Sequence, residues 1–340
     1  EYSGEWARGQ MHGPGTLELL QSGDVLRAPF RDGAIAGHCC VTAPSGITIE
    51  GTFEGLTLQG RAIVRQPTAS SPAKAAASKP AEPAALTART AGKGWYDGDV
   101  DCAALEASLR DGRGLRIVRH GRGEAMLRNG DRYVGEWARN VPEGEGTYTY
   151  AELEEQYVGQ WLGGVRHGRG TLTGANHDTY DGEWRGGVRC GEGTQRLGSS
   201  GDVLVGVWAD DVMGGRGQLT TGRGDVYEGE FARSLRDGQG ECSYADGSAY
   251  RGSWQGGLYH GEGTLEGLGG ALCEGSWHHG EMVGYGRRVH ESGEEYVGEF
   301  ARGLRHGKGS WKDPTIGAVY EGGWAEGLRD GDGVYKTSAG

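Results

Sequence analysis

The chain has 340 residues, of which 36% are hydrophobic and 69 are glycine, and its formal net charge is −12. This composition argues against one thick apolar core. The acidic charge argues against nucleic acid as a partner, because binding to phosphate needs a basic surface. The cysteines lack CxxC spacing and no apolar stretch reaches the length of a membrane span, so we expect a reduced, cytoplasmic chain.

Residues 1–65 contain three related segments that begin at Tyr2, Leu26 and Ile49. The first reads Tyr-Ser-Gly-Glu-Trp and is followed by His-Gly-Pro-Gly at residues 12–15. The second and third carry Phe in place of Trp and have lost the Gly-x-Gly pair, so their strands should still pair while their packing differs. Since the sequence starts inside the first segment and without Met, the natural protein is expected to extend upstream.

Residues 66–94 are rich in Ala, Pro, Ser and Lys and show no periodicity, which predicts a flexible linker. Four basic residues face one acidic residue there, in an otherwise acidic protein. This contrast motivates the hypothesis that Lys74, Lys79 and Lys93 contact an acidic partner, such as a tubulin tail. Changing the three lysines to Glu should then weaken cosedimentation with that partner.

Residues 95–132 form one repeat that is split by an insertion. Tyr-Asp-Gly at 96–98 restarts the pattern, but the matching His-Gly-Arg-Gly appears only at 120–123. The inserted residues 103–110 are helix formers, and Asp101 is placed to cap their start. The insertion therefore predicts a short helix.

Residues 133–340 contain nine uninterrupted repeats, whose starts lie 23 or 24 residues apart. The starts are Tyr133, Tyr157, Tyr180, Leu204, Tyr227, Tyr250, Cys273, Tyr296 and Tyr320. Each opens Tyr-x-Gly-x-Trp or a variant of it, and a Gly-x-Gly pair follows about ten residues later. A fixed period of this length indicates an array of identical supersecondary units.

The Tyr, Gly and Trp of one repeat should point to the same side, because alternate residues of a strand share a face. Glycine between two rings is expected where the neighbouring repeat approaches closely. A two-stranded unit is too small to be stable alone, so neighbours must complete the core. The predicted core residues are Tyr133, Gly135, Trp137, Tyr157, Gly159, Trp161, Tyr180, Gly182, Trp184, Tyr227, Gly229, Phe231, Tyr250, Gly252, Trp254, Tyr296, Gly298, Phe300, Tyr320, Gly322 and Trp324.

This unit resembles the MORN repeat (membrane occupation and recognition nexus), whose pattern is roughly YxGxWxxGxxHGxGxxxxxxGxx. The resemblance covers nearly the whole chain apart from one interruption, with twelve recognisable units and one split unit. It implies an all-β fold: an elongated, single-layer array of β-hairpins in the form of a twisted ribbon, with one short helix in the insertion.

No residues outside the repeat pattern mark an active site. We find neither a nucleophile with its base nor a cofactor fingerprint, so no enzyme activity and no cofactor are expected. The recurring histidines, such as His167, His260 and His306, are interpreted as turn residues, because a zinc site needs three or four converging ligands. Only His278 and His279 are adjacent, and no metal site is expected.

Charged residues also recur at fixed positions. Glu136, Glu183 and Glu230 are expected on the outward face, and arginines in the turns. The simplest interpretation is a solvated surface, and the functional one is an acidic strip and a basic rim that dock partners in register. The candidate interaction residues are Arg139, Arg166, Arg189, Arg236, Arg305, Lys74, Lys79 and Lys93.

The resemblance favours a non-enzymatic scaffold. Long MORN arrays without a catalytic domain are similar to radial-spoke-head proteins of cilia and flagella and to cytoskeletal MORN proteins of protists. This implies protein partners in an axonemal or other cytoskeletal complex, and open sheet ends allow homo-oligomers. Two alternatives stay open: a membrane organiser, as in junctophilins, whose turn arginines contact anionic phosphoinositides, and the regulatory array of a larger lipid kinase or methyltransferase.

Overall fold

The computed structural model describes residues 1–55, 57–65, 95–100, 107 and 118–337. These residues form 26 β-strands and one short 3-10 helix. Successive strands make antiparallel hairpins, one per repeat, which confirms the predicted all-β hairpin array. The predicted linker over 66–94 lies outside the described residues, as does the predicted helix over 103–110 except for Ala107.

The first compact unit comprises Glu1–Ala175 and Arg185–Gly187. Its two eroded repeats still form hairpins, as expected, and the N-terminal hairpins continue into the split repeat because β6 pairs with β7. The strands are β1 (Tyr2–Ala7), β2 (Gln10–Glu18), β3 (Val25–Arg31), β4 (Ala34–Thr42), β5 (Thr48–Glu54), β6 (Thr57–Arg65), β7 (Trp95–Val100), β8 (Arg119–Met126), β9 (Arg132–Ala138), β10 (Val141–Tyr150), β11 (Glu155–Leu162) and β12 (Val165–Thr173).

The second compact unit comprises Asn176–Trp184 and Val188–Gly340. From β14 onward each strand pairs with the next in chain order. The elements are β13 (Thr179–Arg185), β14 (Val188–Arg196), β15 (Val203–Ala209), β16 (Val212–Thr220), β17 (Val226–Ala232), β18 (Leu235–Ser243), β19 (Ala249–Gln255), β20 (Leu258–Glu266), the 3-10 helix (Leu268–Gly270), β21 (Leu272–His278), β22 (Glu281–Val289), β23 (Glu295–Ala301), β24 (Leu304–Asp313), β25 (Ala318–Ala325) and β26 (Leu328–Lys336).

Glycine is required where the two strands of a hairpin pass over the ring of its starting tyrosine. Gly229 pairs with Gly240 in β18. A β-carbon on Gly229 would lie 2.5 Å from the Cα of Gly240 and 2.5 Å from the hydroxyl of Tyr227, and one on Gly240 would overlap the Tyr227 ring. The expectation that this glycine serves the approach of a neighbouring repeat was therefore wrong, because the close approach lies within the hairpin.

In the hairpins that lack the starting Tyr, the residue at the start and the residue nine positions later have changed together. In each of these hairpins a buried aliphatic or Met side chain lies nine residues after the start. A β-carbon on Gly206 or Gly217 would overlap the terminal methyl group of Met213, which therefore occupies the place of the missing ring. The four pairs are Leu26 with Ile35, Ile49 with Leu58, Leu204 with Met213, and Cys273 with Met282.

The loops that join successive hairpins are connected by a ladder of aspartates. In this ladder a carboxylate accepts a hydrogen bond from the backbone N–H twenty residues later, at the start of the next loop. Asp178 binds the N–H of Gly198 at 2.7 Å, and Asp225 binds that of Ala245 at 3.0 Å. Asp131 and Asp202 form the same bond.

Asp24 is the exception in this ladder. Its side chain is 1% exposed, and neither carboxylate oxygen has a hydrogen-bond partner among the described residues. The residue twenty positions later is Pro44, which has no N–H to donate. A buried acceptor without a donor costs about 1–3 kcal/mol.

Replacing Pro44 by Ala is expected to stabilise the first unit by about 1 kcal/mol. The new N–H satisfies Asp24, and this gain exceeds the roughly 0.4–1 kcal/mol lost when an unfolded chain regains the freedom that proline removed. The measurement is denaturant unfolding. The matched control is Pro314→Ala, because Glu294, the corresponding acid twenty residues earlier, already accepts a hydrogen bond from Arg305 at 3.3 Å. Equal destabilisation by both variants would contradict the assignment.

Candidate interaction surfaces

On one face of the sheet, the aromatic rings of a hairpin that starts with Tyr contact a ring of the next repeat. Tyr227 meets Phe231 of its own strand and Trp254 of the next repeat edge-on, with a centroid distance of 5.2 Å in both cases. Trp254 also donates its indole N–H to the carbonyl of Gly240 at 3.2 Å. The ring therefore joins one repeat to the preceding one by both packing and a hydrogen bond. The same indole bond is formed by Trp137, Trp161, Trp208, Trp277 and Trp324.

Arginines cover these rings. The guanidinium carbon of Arg236 lies 4.3 Å from the centre of the Trp254 ring, and its Nη2 donates to the carbonyl of Gly257 at 2.9 Å. Arg189 and Arg305 lie over the tryptophan of the next repeat in the same way, each at 4.5 Å. A guanidinium over an aromatic face contributes about 0.5–2 kcal/mol.

The expectation that all of these arginines lie in turns was wrong. Arg166, Arg189, Arg236 and Arg305 belong to the second strand of their hairpins, because the hairpin turn is completed before them. Arg139 does lie in a turn, where it is exposed and has a positive φ of 49°. The other candidate interaction residues, Lys74, Lys79 and Lys93, lie outside the described residues.

The glutamates on the opposite face have a structural role. The hairpins contain a β-bulge after the central glycine, which leaves one backbone N–H of the second strand without a ladder partner. Glu230 accepts this N–H from Gln239 at 3.0 Å, and Glu299 accepts it from Lys308 at 3.0 Å. Their outward position was predicted, whereas this bond was not.

The family model of the MORN repeat matches residues 2–19, 133–152, 157–179, 180–201, 227–249, 250–267, 273–295, 296–315 and 320–340. The matched residues make up more than half of the chain. The chain belongs to the MORN repeat family. No curated protein matches it. MORN repeats generally act as scaffold modules that bind proteins or lipids.

Four hairpins have the MORN fold without a match to the family model. They begin at Leu26, Ile49, Tyr96 and Leu204. Three of them lack the starting Tyr, and the fourth contains the insertion. Hairpin geometry therefore tolerates loss of the MORN signature when another side chain fills the place of the ring.

The hydroxyl of the MORN tyrosine is buried against the bulge. Tyr296 donates to the carbonyls of Glu299 and His306, at 2.9 and 3.2 Å. Because this bond uses a backbone carbonyl, the side chain at the position of His306 can vary. In another repeat Tyr180 donates to the carbonyl of Cys190, which holds the same position. Burial raises the pKa of Tyr296 from its ordinary value of 10.0 to about 12, and the nearby Arg305 lowers this pKa. Burial likewise raises the pKa values of Tyr157, Tyr180 and Tyr227 to about 12.

These raised pKa values predict alkaline unfolding. Between pH 10 and about 12 the folded state retains protons that the unfolded state releases, so stability is complete below pH 10 and decreases as the pH rises through about 12. The measurement is the unfolding free energy as a function of pH, with tyrosinate absorbance recorded in parallel. The larger part of the absorbance rise should coincide with unfolding, because most of the repeat tyrosines are buried. Ionisation of most of the tyrosines near pH 10 in a chain that remains folded would contradict the burial argument.

A shallow groove of about 550 Å³ lies on the outer face of β8 to β11 in the first unit. Its lining includes the charged residues Arg122, Glu124 and Glu145 together with Val134, Thr147 and Val158. Arg122 forms an exposed ion pair with Glu136 at 3.2 Å. The groove thus carries both signs of charge.

Three histidine rings lie close together beside the turn that follows β21 in the second unit. The ring of His260 lies 5.0 Å from that of His278 and 5.9 Å from that of His279. The sequence did not indicate this contact because His260 belongs to the preceding repeat. Within the described part of the chain, no group of three His, Cys, Asp or Glu side chains is arranged to hold a metal ion. The described residues also include no helix with the length and hydropathy of a membrane span.

Proposed function

We propose that this MORN array is a non-enzymatic scaffold that binds other proteins within a cytoskeletal assembly, with an axonemal complex such as a radial spoke head as the first candidate. The supporting observation is that the contacts of rings and arginines between repeats lie on one face of the sheet. Rings and arginines on one face are used to join repeats, so the opposite face is available for partners along many consecutive hairpins.

The arginines that are stacked on tryptophan rings help to distinguish protein partners from lipid partners. Arg189, Arg236 and Arg305 lie over tryptophan rings. Arg189 also bonds Asp211 at 3.0 Å. Binding a phosphoinositide headgroup through them would require breaking stacks that hold the repeats together. This arrangement supports protein partners over anionic lipid.

Detergent extraction of cells that carry the tagged full-length chain tests the proposal. We expect the protein to remain with the insoluble cytoskeleton and microscopy to place it along an axoneme or a cytoskeletal collar. Complete release with the membrane fraction would overturn the proposal in favour of a membrane organiser. A control variant, Arg233→Glu, changes an exposed turn residue that is outside the stacks and is not a candidate interaction residue, and it should leave retention unchanged.

A further inference from the structure

The outer face of the second unit is strongly acidic. On each strand from β13 to β26, the residues on either side of the central glycine point away from the rings. Eleven of these positions carry Asp or Glu, and only four carry Arg or Lys. The acids are Asp181, Glu183, Glu192, Glu228, Glu230, Glu241, Glu262, Glu274, Glu299, Glu321 and Asp332, and the bases are Arg216, Arg251, Arg287 and Lys308.

Tyr285 is an exposed aromatic residue within this acidic face. Its side chain is 68% exposed, and its hydroxyl has no hydrogen-bond partner among the described residues. In the ladder it lies opposite Glu299. Polar or charged residues hold the same position in the other second strands of this unit, including Glu262 and Lys308. Exposed tyrosines are enriched at binding surfaces, because Tyr gives a large contact area at low entropic cost.

The carboxylates around Tyr285 are incompletely neutralised. Glu274 lies opposite Arg287, but the Arg287 guanidinium bonds Glu295 instead, at 2.6 Å. In the described part of the chain, the Glu274 carboxylate forms no hydrogen bond and no ion pair. Glu262 binds only the hydroxyl of Ser276, at 2.5 Å. Carboxylates without an ion pair beside an exposed ring are the groups that recognise a Lys or Arg side chain, through charge and through the ring face.

We propose that this surface, which is formed by Tyr285, Glu262, Glu274 and Glu299, binds a Lys/Arg-rich extended segment of a partner protein. The proposal rests on the scaffold function and specifies the partner chemistry of that scaffold. The acidic sign disfavours nucleic acid and anionic lipid. In contrast, the groove of the first unit carries mixed charge and selects no occupant.

Fluorescence anisotropy of a labelled Lys/Arg-rich peptide against the full-length chain tests this proposal. We expect Glu274→Lys to weaken binding by on the order of tenfold, and added salt to weaken it further. Tyr285→Ser should weaken binding several-fold, whereas Tyr285→Phe should bind like the original chain, because the ring and not the hydroxyl meets the cation. The matched control is Glu291→Lys, which makes the same charge change in an exposed loop.

The outcomes separate a specific surface from net charge. Equal loss with Glu291→Lys and Glu274→Lys would overturn the proposal, as would unchanged affinity in Tyr285→Ser or equal binding of a Glu-rich peptide or of anionic vesicles. Circular dichroism of each variant checks that the sheet is intact, and the exposed position of both residues predicts that it is. If these results fail while the chain stays in the detergent-insoluble cytoskeleton, the basic-segment proposal is wrong and the scaffold proposal stands.

Discussion

Replacing Trp254 by Ala is expected to destabilise the second unit by about 3–5 kcal/mol, which is the cost of removing a buried aromatic side chain. Trp254 is 3% exposed and contacts rings of its own and the preceding repeat. The change also removes the indole bond to Gly240 and the surface on which Arg236 lies. Denaturant unfolding measures the free energy, and hydrogen exchange should show the largest loss of protection in β17 to β20.

The conservative variant Trp254→Phe separates packing from hydrogen bonding. Phe already holds this position in Phe231 and Phe300, so the ring contacts should persist. The expected cost is about 0.5–1.5 kcal/mol, the net value of one hydrogen bond. A cost for Trp254→Ala no larger than that for Trp254→Phe would contradict the assignment of Trp254 as a joint between repeats.

The hairpin array could be predicted because its signal is local and repeated. Strand alternation places Tyr227, Gly229 and Phe231 on one face, and a period of 23 or 24 residues fixes the unit. The contact of Arg236 with a tryptophan ring could not be predicted in this way. Its ring partner, Trp254, lies in the next repeat, and the sequence does not show which side of the sheet a strand-end guanidinium covers.

The hydrogen bonds of the outward glutamates could not be predicted from the sequence either. Alternation predicts that Glu230 points outward, but the donor that it binds exists only because a β-bulge frees the N–H of Gln239. A bulge depends on the pairing of two strands and leaves no mark at a single residue. Tyr285 was also overlooked, although a Tyr at a position held elsewhere by charged residues was visible in the sequence.

Several hairpins that start with Tyr carry Arg nine residues later, as in Tyr227 and Arg236, whereas the hairpins without the Tyr carry an aliphatic residue or Met there. This joint exchange is visible in the sequence but was not predicted. Leu204 and Cys273 were recognised as substitutes for Tyr, while Met213 and Met282, nine residues later, were not connected with them. The structure explains the link, because both methionines are buried and fill the place of the ring. Two positions of one repeat are therefore energetically coupled.

A double-mutant cycle between Leu204 and Met213 should reveal this coupling. Leu204→Tyr alone adds a ring to a site that the Met213 methyl group fills, and overpacking costs about 1–3 kcal/mol. Met213→Arg alone removes a fully buried apolar side chain and should cost about 2–5 kcal/mol. The double variant restores the Tyr and Arg combination of the hairpin that begins at Tyr227. We expect it to recover about 1–3 kcal/mol relative to the sum of the single changes.

The control cycle combines Leu204→Tyr with Met282→Arg, whose site belongs to the hairpin that begins at Cys273. Because that pair shares no contact, its effects should add within about 0.5 kcal/mol. Unfolding free energies from denaturant titration decide both cycles. Additive effects at Leu204 and Met213 would show that methionine does not replace the ring, and the burial of Met213 would then need another cause. A coupling confined to the first pair would mean that MORN hairpins can lose their signature tyrosine and keep their fold by one compensating substitution.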